Sequence, residues 1–285
     1  MELGFSLRLD DKWRSNDLTA ATRNDEPPYR VSIYIVNAGG QTYSRSFNFT
    51  KKELQDGVSF PNTIKLDRDA YNIIAFCERV DNDNKGVAYE YSNFHYLTPK
   101  IPNGTFDESR FCFYSRQNLD IRRISLDNKS VDILLSNMTG RVEFIADDYD
   151  KFLEQNPDIL RQEGHLEVRV DYKSEIPGAF DLVTDELLKP LSGVNFTTEF
   201  GLSSIPGIEA HLTSDCHFAI DDPVKYMVEV SIFNSAKVLI SKLENVEFPV
   251  RRGMITTVHG DFLTNSISGG IIVDTSWGNE INIEI

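Results

Sequence analysis

Cysteine is scarce: Cys77, Cys112 and Cys216 are the three in 285 residues. An odd number cannot all pair within one chain. Cys77 closes the apolar run from Tyr71, and Cys112 lies between Phe111 and Phe113. In such settings Cys behaves as a small hydrophobe. Free buried thiols are expected, with a single disulfide as the alternative. Positive charge is also short. Lys and Arg number 29 against 44 Asp and Glu, so the net charge is −15 and the pI about 4.8. A nucleic-acid binder needs a basic stripe to neutralise phosphates. Basic clusters such as Arg122-Arg123 and Arg251-Arg252 are short pairs, which suit strand ends. Nucleic acid is therefore excluded as a partner, and the acidity disfavours anionic membranes. No apolar run is long enough to span a bilayer. Met1-Glu2-Leu3-Gly4 lacks the basic start and apolar core of a leader. The chain is either cytoplasmic or a mature form whose leader has been removed.

Catalytic signatures are missing too. No G-x-S-x-G elbow, P-loop or G-x-G-x-x-G occurs. Asp147-Asp148 and Asp221-Asp222 are adjacent acids, but acid–base catalysis needs convergent geometry and shifted pKa values. No enzymatic activity and no cofactor are expected. His211 and His217 beside Cys216 imitate a metal cluster, yet no second ligand pair stands at structural-zinc spacing. Asp81-Asn82-Asp83-Asn84-Lys85-Gly86 imitates the start of a calcium loop. Lys85 holds its fifth position and Ser92 its twelfth, where a bidentate Glu belongs. The segment reads as a hairpin turn, and no metal site is expected. His165 alternates with Glu167, Arg169 and Asp171 on the solvated face of a strand.

Alternation of apolar and polar residues is abundant. The chain is 40% hydrophobic and rich in Phe (18) and Tyr (11), residues that fit a pleated, half-buried surface. Leu3, Phe5, Leu7 and Leu9 alternate with polar or small residues and define a first strand. A polar loop, Asp10 to Pro28, carries Arg14 and Arg23. Tyr29–Asn37 and Thr42–Phe49 flank Ala38-Gly39-Gly40-Gln41 as a hairpin. Thr50 and Glu53 form a capping box for a short helix. Strands are predicted at Thr63–Leu66, Tyr71–Val80, Phe111–Tyr114, and at Val131–Leu135 and Gly140–Ala146 around a turn at Asn137–Thr139. A helix is predicted from Asp147 to Leu160, ended or kinked at Asn156-Pro157. Further strands are His165–Tyr172, Val194–Phe200, Tyr226–Phe233, Ala236–Leu243, Met254–Leu263, Ile271–Val273 and Ile281–Ile285. Many short strands and few helices point to an all-β fold of sandwiches or barrels. The length favours two domains, 1–129 and 130–285, divided at the polar patch before Val131. One large β domain is the alternative.

The order of several segments is more specific. Arg30-Val31-Ser32-Ile33-Tyr34-Ile35-Val36-Asn37-Ala38-Gly39-Gly40-Gln41 is followed by Thr50-Lys51-Lys52-Glu53-Leu54, Ile64-Lys65-Leu66-Asp67 and Tyr71-Asn72-Ile73-Ile74-Ala75-Phe76. This succession resembles the N-terminal domain of the Bacteroidetes fimbrillin and fimbrial-anchor family. Asp69-Ala70 replaces that family's usual Gly before the Tyr, and Phe76 its Trp. Met138–Phe144, Pro177–Thr184 and Val250–Thr264 resemble segments of its second domain. The resemblance implies two transthyretin-like Greek-key sandwiches in a protein exported as a lipoprotein precursor to the cell surface or outer membrane. It implies a shaft, tip or anchor subunit of a type V fimbria, partnered with other subunits through strand exchange and with host or bacterial surface ligands. Membrane attachment would be through a lipid anchor absent from this chain. In that family an arginine-specific protease frees the first strand. Arg23, or else Arg14, is the matching cleavage site here, and Leu3, Phe5, Leu7 and Leu9 mark the exchangeable strand. The alternative function is a surface glycan-binding lipoprotein, with Trp13, Trp277, Tyr89, Tyr91 and Tyr96 as candidate aromatic platforms, although core packing or cross-strand pairing is the more usual place of such residues.

Overall fold

The computed structural model describes residues 2–10, 28–40, 42–60, 63–92, 96–100, 110, 112–123, 130–204, 210–264 and 271–276. They form an all-β protein with a few short helices. Two compact units are distinguished. One comprises the described residues of Met1–Lys100, Glu108–Met138 and Phe180–Glu186; the other, those of Thr139–Ala179 and Leu187–Ile285.

The first unit is built on one mixed sheet. Its strands are β1 (Glu2–Leu9), β2 (Tyr29–Asn37), β3 (Thr42–Phe49), β4 (Val58–Ser59), β5 (Ile64–Lys65), β6 (Ala70–Arg79), β9 (Cys112–Asp120) and β10 (Ser130–Asn137). Their order is β3-β2-β6-β9-β10-β1-β4, with β5 also on β1. The β2–β3 hairpin turns where Gly40, at φ 78°, donates its N–H to Asn37 O at 3.0 Å. A side chain disfavours that left-handed backbone, and glycine does not. The capping box forms as expected on α1 (Lys51–Asp56): Thr50 Oγ1 accepts from Glu53 N at 3.2 Å, and Glu53 Oε2 accepts from Thr50 N at 2.7 Å. A second layer covers part of one face of the sheet. It consists of the hairpin β7 (Tyr89–Ser92) and β8 (Tyr96–Pro99), with Phe180 and Asp181 paired to β8.

The second unit holds two four-stranded sheets. One is β16-β11-β19-β20, from β11 (Thr139–Ala146), β16 (Ala210–Phe218), β19 (Ile255–Gly260) and β20 (Ile271–Ser276). The other is β15-β12-β17-β18, from β12 (His165–Tyr172), β15 (Asn195–Gly201), β17 (Val224–Phe233) and β18 (Leu239–Val250). Their inner faces share a core in which Phe144 meets Phe248 and Phe262 edge-on, at 5.7 and 6.1 Å between centroids. Edge-to-face packing suits the aromatic quadrupole. The helices α2 (Tyr149–Gln155) and α3 (Ile159–Gln162) break at Asn156-Pro157, as the sequence indicates.

Three expectations need correction. No turn occurs at Asn137–Thr139: Met138 alone separates β10 from β11, and the two strands join different sheets. Gly140 serves close approach instead. A Cβ there would lie 2.6 Å from Arg251 O, the use of a strand glycine where another backbone comes near. The strand expected from Ala236 starts at Leu239 and runs on to Val250. Lys237, at φ 61°, and Asn234 Oδ1, which accepts from Val238 N at 2.8 Å, hold a turn before it. The strands β7, β8, β13 (Ile176–Asp181), β14 (Glu186–Leu191) and β16 were not anticipated. In β16 both faces are buried, so Thr213, Ser214, Asp215 and His217 hide the alternation that normally marks a strand. The segment expected at Ile281–Ile285 lies outside the described residues.

Candidate functional site

The first strand occupies a slot. β1 pairs with β10 in parallel, from Gly4↔Ser130 to Leu9↔Leu135. On its other side it meets β4 antiparallel through Ser6↔Ser59 and Leu7↔Val58, and β5 through Glu2↔Lys65 and Leu3↔Ile64. Asp10 N extends the parallel ladder to Leu135 O at 2.9 Å. Period-two alternation sends Leu3, Phe5, Leu7 and Leu9 to one face, where none is more than 2% exposed. Each such burial stabilises by about 1.5–3 kcal/mol before chain entropy is counted. The opposite face is polar, and Ser6 Oγ donates to Asp132 of β10.

The lining of the slot depends on β1. Among the described residues β10 pairs with β9 in register at Ser136↔Tyr114 and Asn137↔Phe113. Along Ser130–Leu135 its backbone ladder among the described residues is the one with β1. Without β1 that edge would expose unpaired N–H and C=O groups beside the apolar side chains of Val131, Ile133 and Leu135, a template for an incoming strand. The four strand residues named from sequence thus come together at one place. Arg14 and Arg23 lie outside the described residues.

The other sequence candidates scatter. His211 is turned outward and lies 4.0 Å from Glu143, while Cys216 and His217 sit on opposite faces of β16. His217 Nε2 is instead 2.6 Å from Tyr172 Oη, which also donates to Asp215 Oδ2 at 3.3 Å. All three side chains are buried, with Asp215 fully enclosed. They form a polar knot inside the core. Asp81 Oδ1 accepts from Asp83 N and Lys85 N at 3.0 and 2.8 Å, and Asn84 takes φ 60°. The carboxylate thereby closes a turn. Behind this turn Glu78 is buried and ion-paired to Arg30 at 2.6 Å. Its burial nevertheless raises its pKa, against the opposing pull of Arg30 and Lys100. The three cysteines are buried and form no disulfide among the described residues, and enclosure pushes the Cys77 thiol up.

Of the aromatic platforms, Trp13 and Trp277 lie outside the described residues. Tyr89 is core: it donates to Arg110 O at 2.7 Å and meets Phe76 edge-on. Tyr91 also packs on Phe76 and lies under Arg30. Tyr96 is exposed.

A cleft of about 470 Å³ on the outer face of β2, β6 and β9 was not anticipated. Its lining includes Tyr34, Val36, Asn72, Asn118 and Asp120 from the sheet and Val183 from the Phe180–Glu186 segment. The sheet residues sit at ordinary polar or half-buried strand positions, and Val183 sits in a turn. Only the register, Val36↔Asn72 and Asn72↔Asn118, sets them side by side.

Solved structures share this fold. A candidate polysaccharide-binding protein from Bacteroides thetaiotaomicron matches with a TM-score of 0.55 at 12% identity, covering 99% of each chain. A candidate cell-adhesion protein from Bacteroides uniformis matches at 0.53 and 10% identity, covering 98% of this chain and 97% of that one. A candidate adhesin from Bacteroides ovatus matches at 0.50 and 12% identity, covering 99% and 95%. At such identities the likeness is one of fold. No curated protein matches the sequence. The model of a family of unknown function, DUF6562, matches residues 1–285, and the chain belongs to that family.

Proposed function

We propose that this chain is a structural or adhesive subunit of a cell-surface fimbria, assembled by exchange of the strand that occupies the β1 slot. The observation that carries the reading is the seating of β1, with four apolar side chains buried and a parallel ladder to β10 along its length. A strand held this way is not shed spontaneously, because vacating the slot would cost an amount comparable to the 5–15 kcal/mol that keeps a typical protein folded. Cleavage in the following loop followed by entry of another subunit's strand replaces one set of contacts by an equivalent set. That is strand addition at an opened sheet edge. The segmental resemblance to fimbrillins and the fold shared with candidate adhesins support the reading. Its partners are other subunits and surface ligands. It acts at the cell surface without cofactor or catalysis, and reaches the membrane through a lipid anchor alone.

The test is digestion with an arginine-specific protease, followed by size-exclusion chromatography. Assembly into larger species, blocked by Arg23→Ala, is the expected result for a shaft subunit. A cleaved chain that keeps β1 bound and stays monomeric, even with excess second subunit, would overturn strand exchange.

A further inference from the structure

The cleft on the outer face of the first unit's sheet goes beyond the assembly reading and does not depend on it. Three features define its chemistry. First, the antiparallel register places Val36, Asn72 and Asn118 abreast on β2, β6 and β9, with Tyr34 one row away on β2 and Asp120 one row away on β9. Second, among the described residues the covering layer stops short of this row. Phe180 packs on Tyr114 at 5.8 Å and Thr184 O accepts from Arg116 at 3.4 Å, leaving Val183 as a wall beside an open floor. Third, the amides of Asn72 and Asn118 make no hydrogen bond among the described residues, although half-buried Asn72 is flanked by strands on both sides.

We infer that this cleft binds a neutral pyranose unit of a glycan. Each amide offers donors and an acceptor together, which matches vicinal hydroxyls that both donate and accept. The Val36 and Val183 side chains and the Tyr34 ring supply an apolar surface for the C–H face of a sugar ring. An apolar wall with a few placed polar groups, at this volume, is the usual make-up of a small-ligand site. The charge pattern selects against acidic sugars. Arg122 and Arg123 are both paired to Asp120, at 2.8 and 3.2 Å, and the chain as a whole carries −15, which repels an anionic polymer.

The test uses the full chain and isothermal titration with methyl α-mannoside, lactose, cellobiose and chitobiose. Sialyllactose and trigalacturonate serve as anionic counterparts. At least one neutral probe should saturate, with affinity falling about tenfold or more in Asn72→Ala/Asn118→Ala at an unchanged melting temperature. Val183→Arg, placed on a separate segment, should fill the cleft and abolish the same binding without touching either amide. Failure of every neutral probe to saturate by about 10 mM, binding confined to the anionic probes, or binding that both variants leave intact would each overturn the assignment. None of these results bears on the protease assay, so the two proposals fail separately.

Discussion

The carbonyl of Phe5 accepts a hydrogen bond from Phe60 N at 2.8 Å, and the two rings stand 6.3 Å apart. Phe60 in turn lies 4.6 Å from Phe47. The first strand is thus tied to the sheet at its centre by backbone and ring together. Phe5→Ala should lower unfolding free energy by about 3–5 kcal/mol, the range for a fully buried Phe. Urea denaturation measures this, with Arg8→Ala on the exposed face as the control. A loss no larger than the control's would mean that the slot is not held by the apolar side chains of β1.

Gly140 leaves no room for a side chain, since an added Cβ would fall 2.5 Å from Val250 Cγ1 as well as against the Arg251 carbonyl. A backbone group cannot swing aside as a flexible side chain can. Gly140→Ala is expected to destabilise the second unit by about 1–3 kcal/mol. The melting temperature should fall, while Gly201→Ala, where nothing lies within contact distance, should change it little.

The polar knot in the second core makes a further demand. Tyr172→Phe removes the hydroxyl that contacts both His217 and Asp215, so each loses one buried partner, although the two still face each other at 3.2 Å; the expected cost is about 1–3 kcal/mol. Phe fills nearly the same volume, so a cavity contributes little. Chemical denaturation of the two forms should show that loss, and a neutral result would mean that another group already satisfies the pair.

Glu78 sets a pH dependence. Burial raises its pKa above 4.5, so between that value and the folded pKa the native chain binds a proton that the unfolded chain has released. Stability contributed by this group is therefore complete below 4.5 and declines as pH rises through the folded pKa. The capping-box Glu53 runs the other way. Hydrogen bonds from Thr50 lower its pKa, and its contribution is present above 4.5 and lost as pH falls through the folded pKa. Glu78→Gln should flatten the fall on the alkaline side of 4.5, and Glu53→Gln should flatten the fall on the acid side. Melting curves across that range separate the two.

Local pattern made much of the fold readable. The alternation in β1, β2 and β12 identified strands and their inner faces because each buries one face and leaves the other largely solvated, so period two survives in the residues, whereas β6, buried on both faces, showed as a short apolar run. The Thr50–Glu53 cap and the Gly40 turn were readable for the same reason: their chemistry lies within a few residues. β16 was not, since enclosure on both faces removes the polar–apolar contrast and a buried Asp215 looks like a surface acid until Tyr172 is placed beside it.

What the amino acids determined unaided is therefore the all-β class, the apolar face of the first strand and the turns whose backbone angles demand glycine. Tertiary structure alone decided that β1 pairs in parallel with β10, more than a hundred residues downstream, that Gly140 marks a close approach instead of a turn, and that Asn72 and Asn118 stand side by side. Each of these is a matter of strand order and register between distant segments. Backbone hydrogen bonds are the same for every residue, so the pairing is chosen by how whole faces pack, and no short stretch of sequence carries that information.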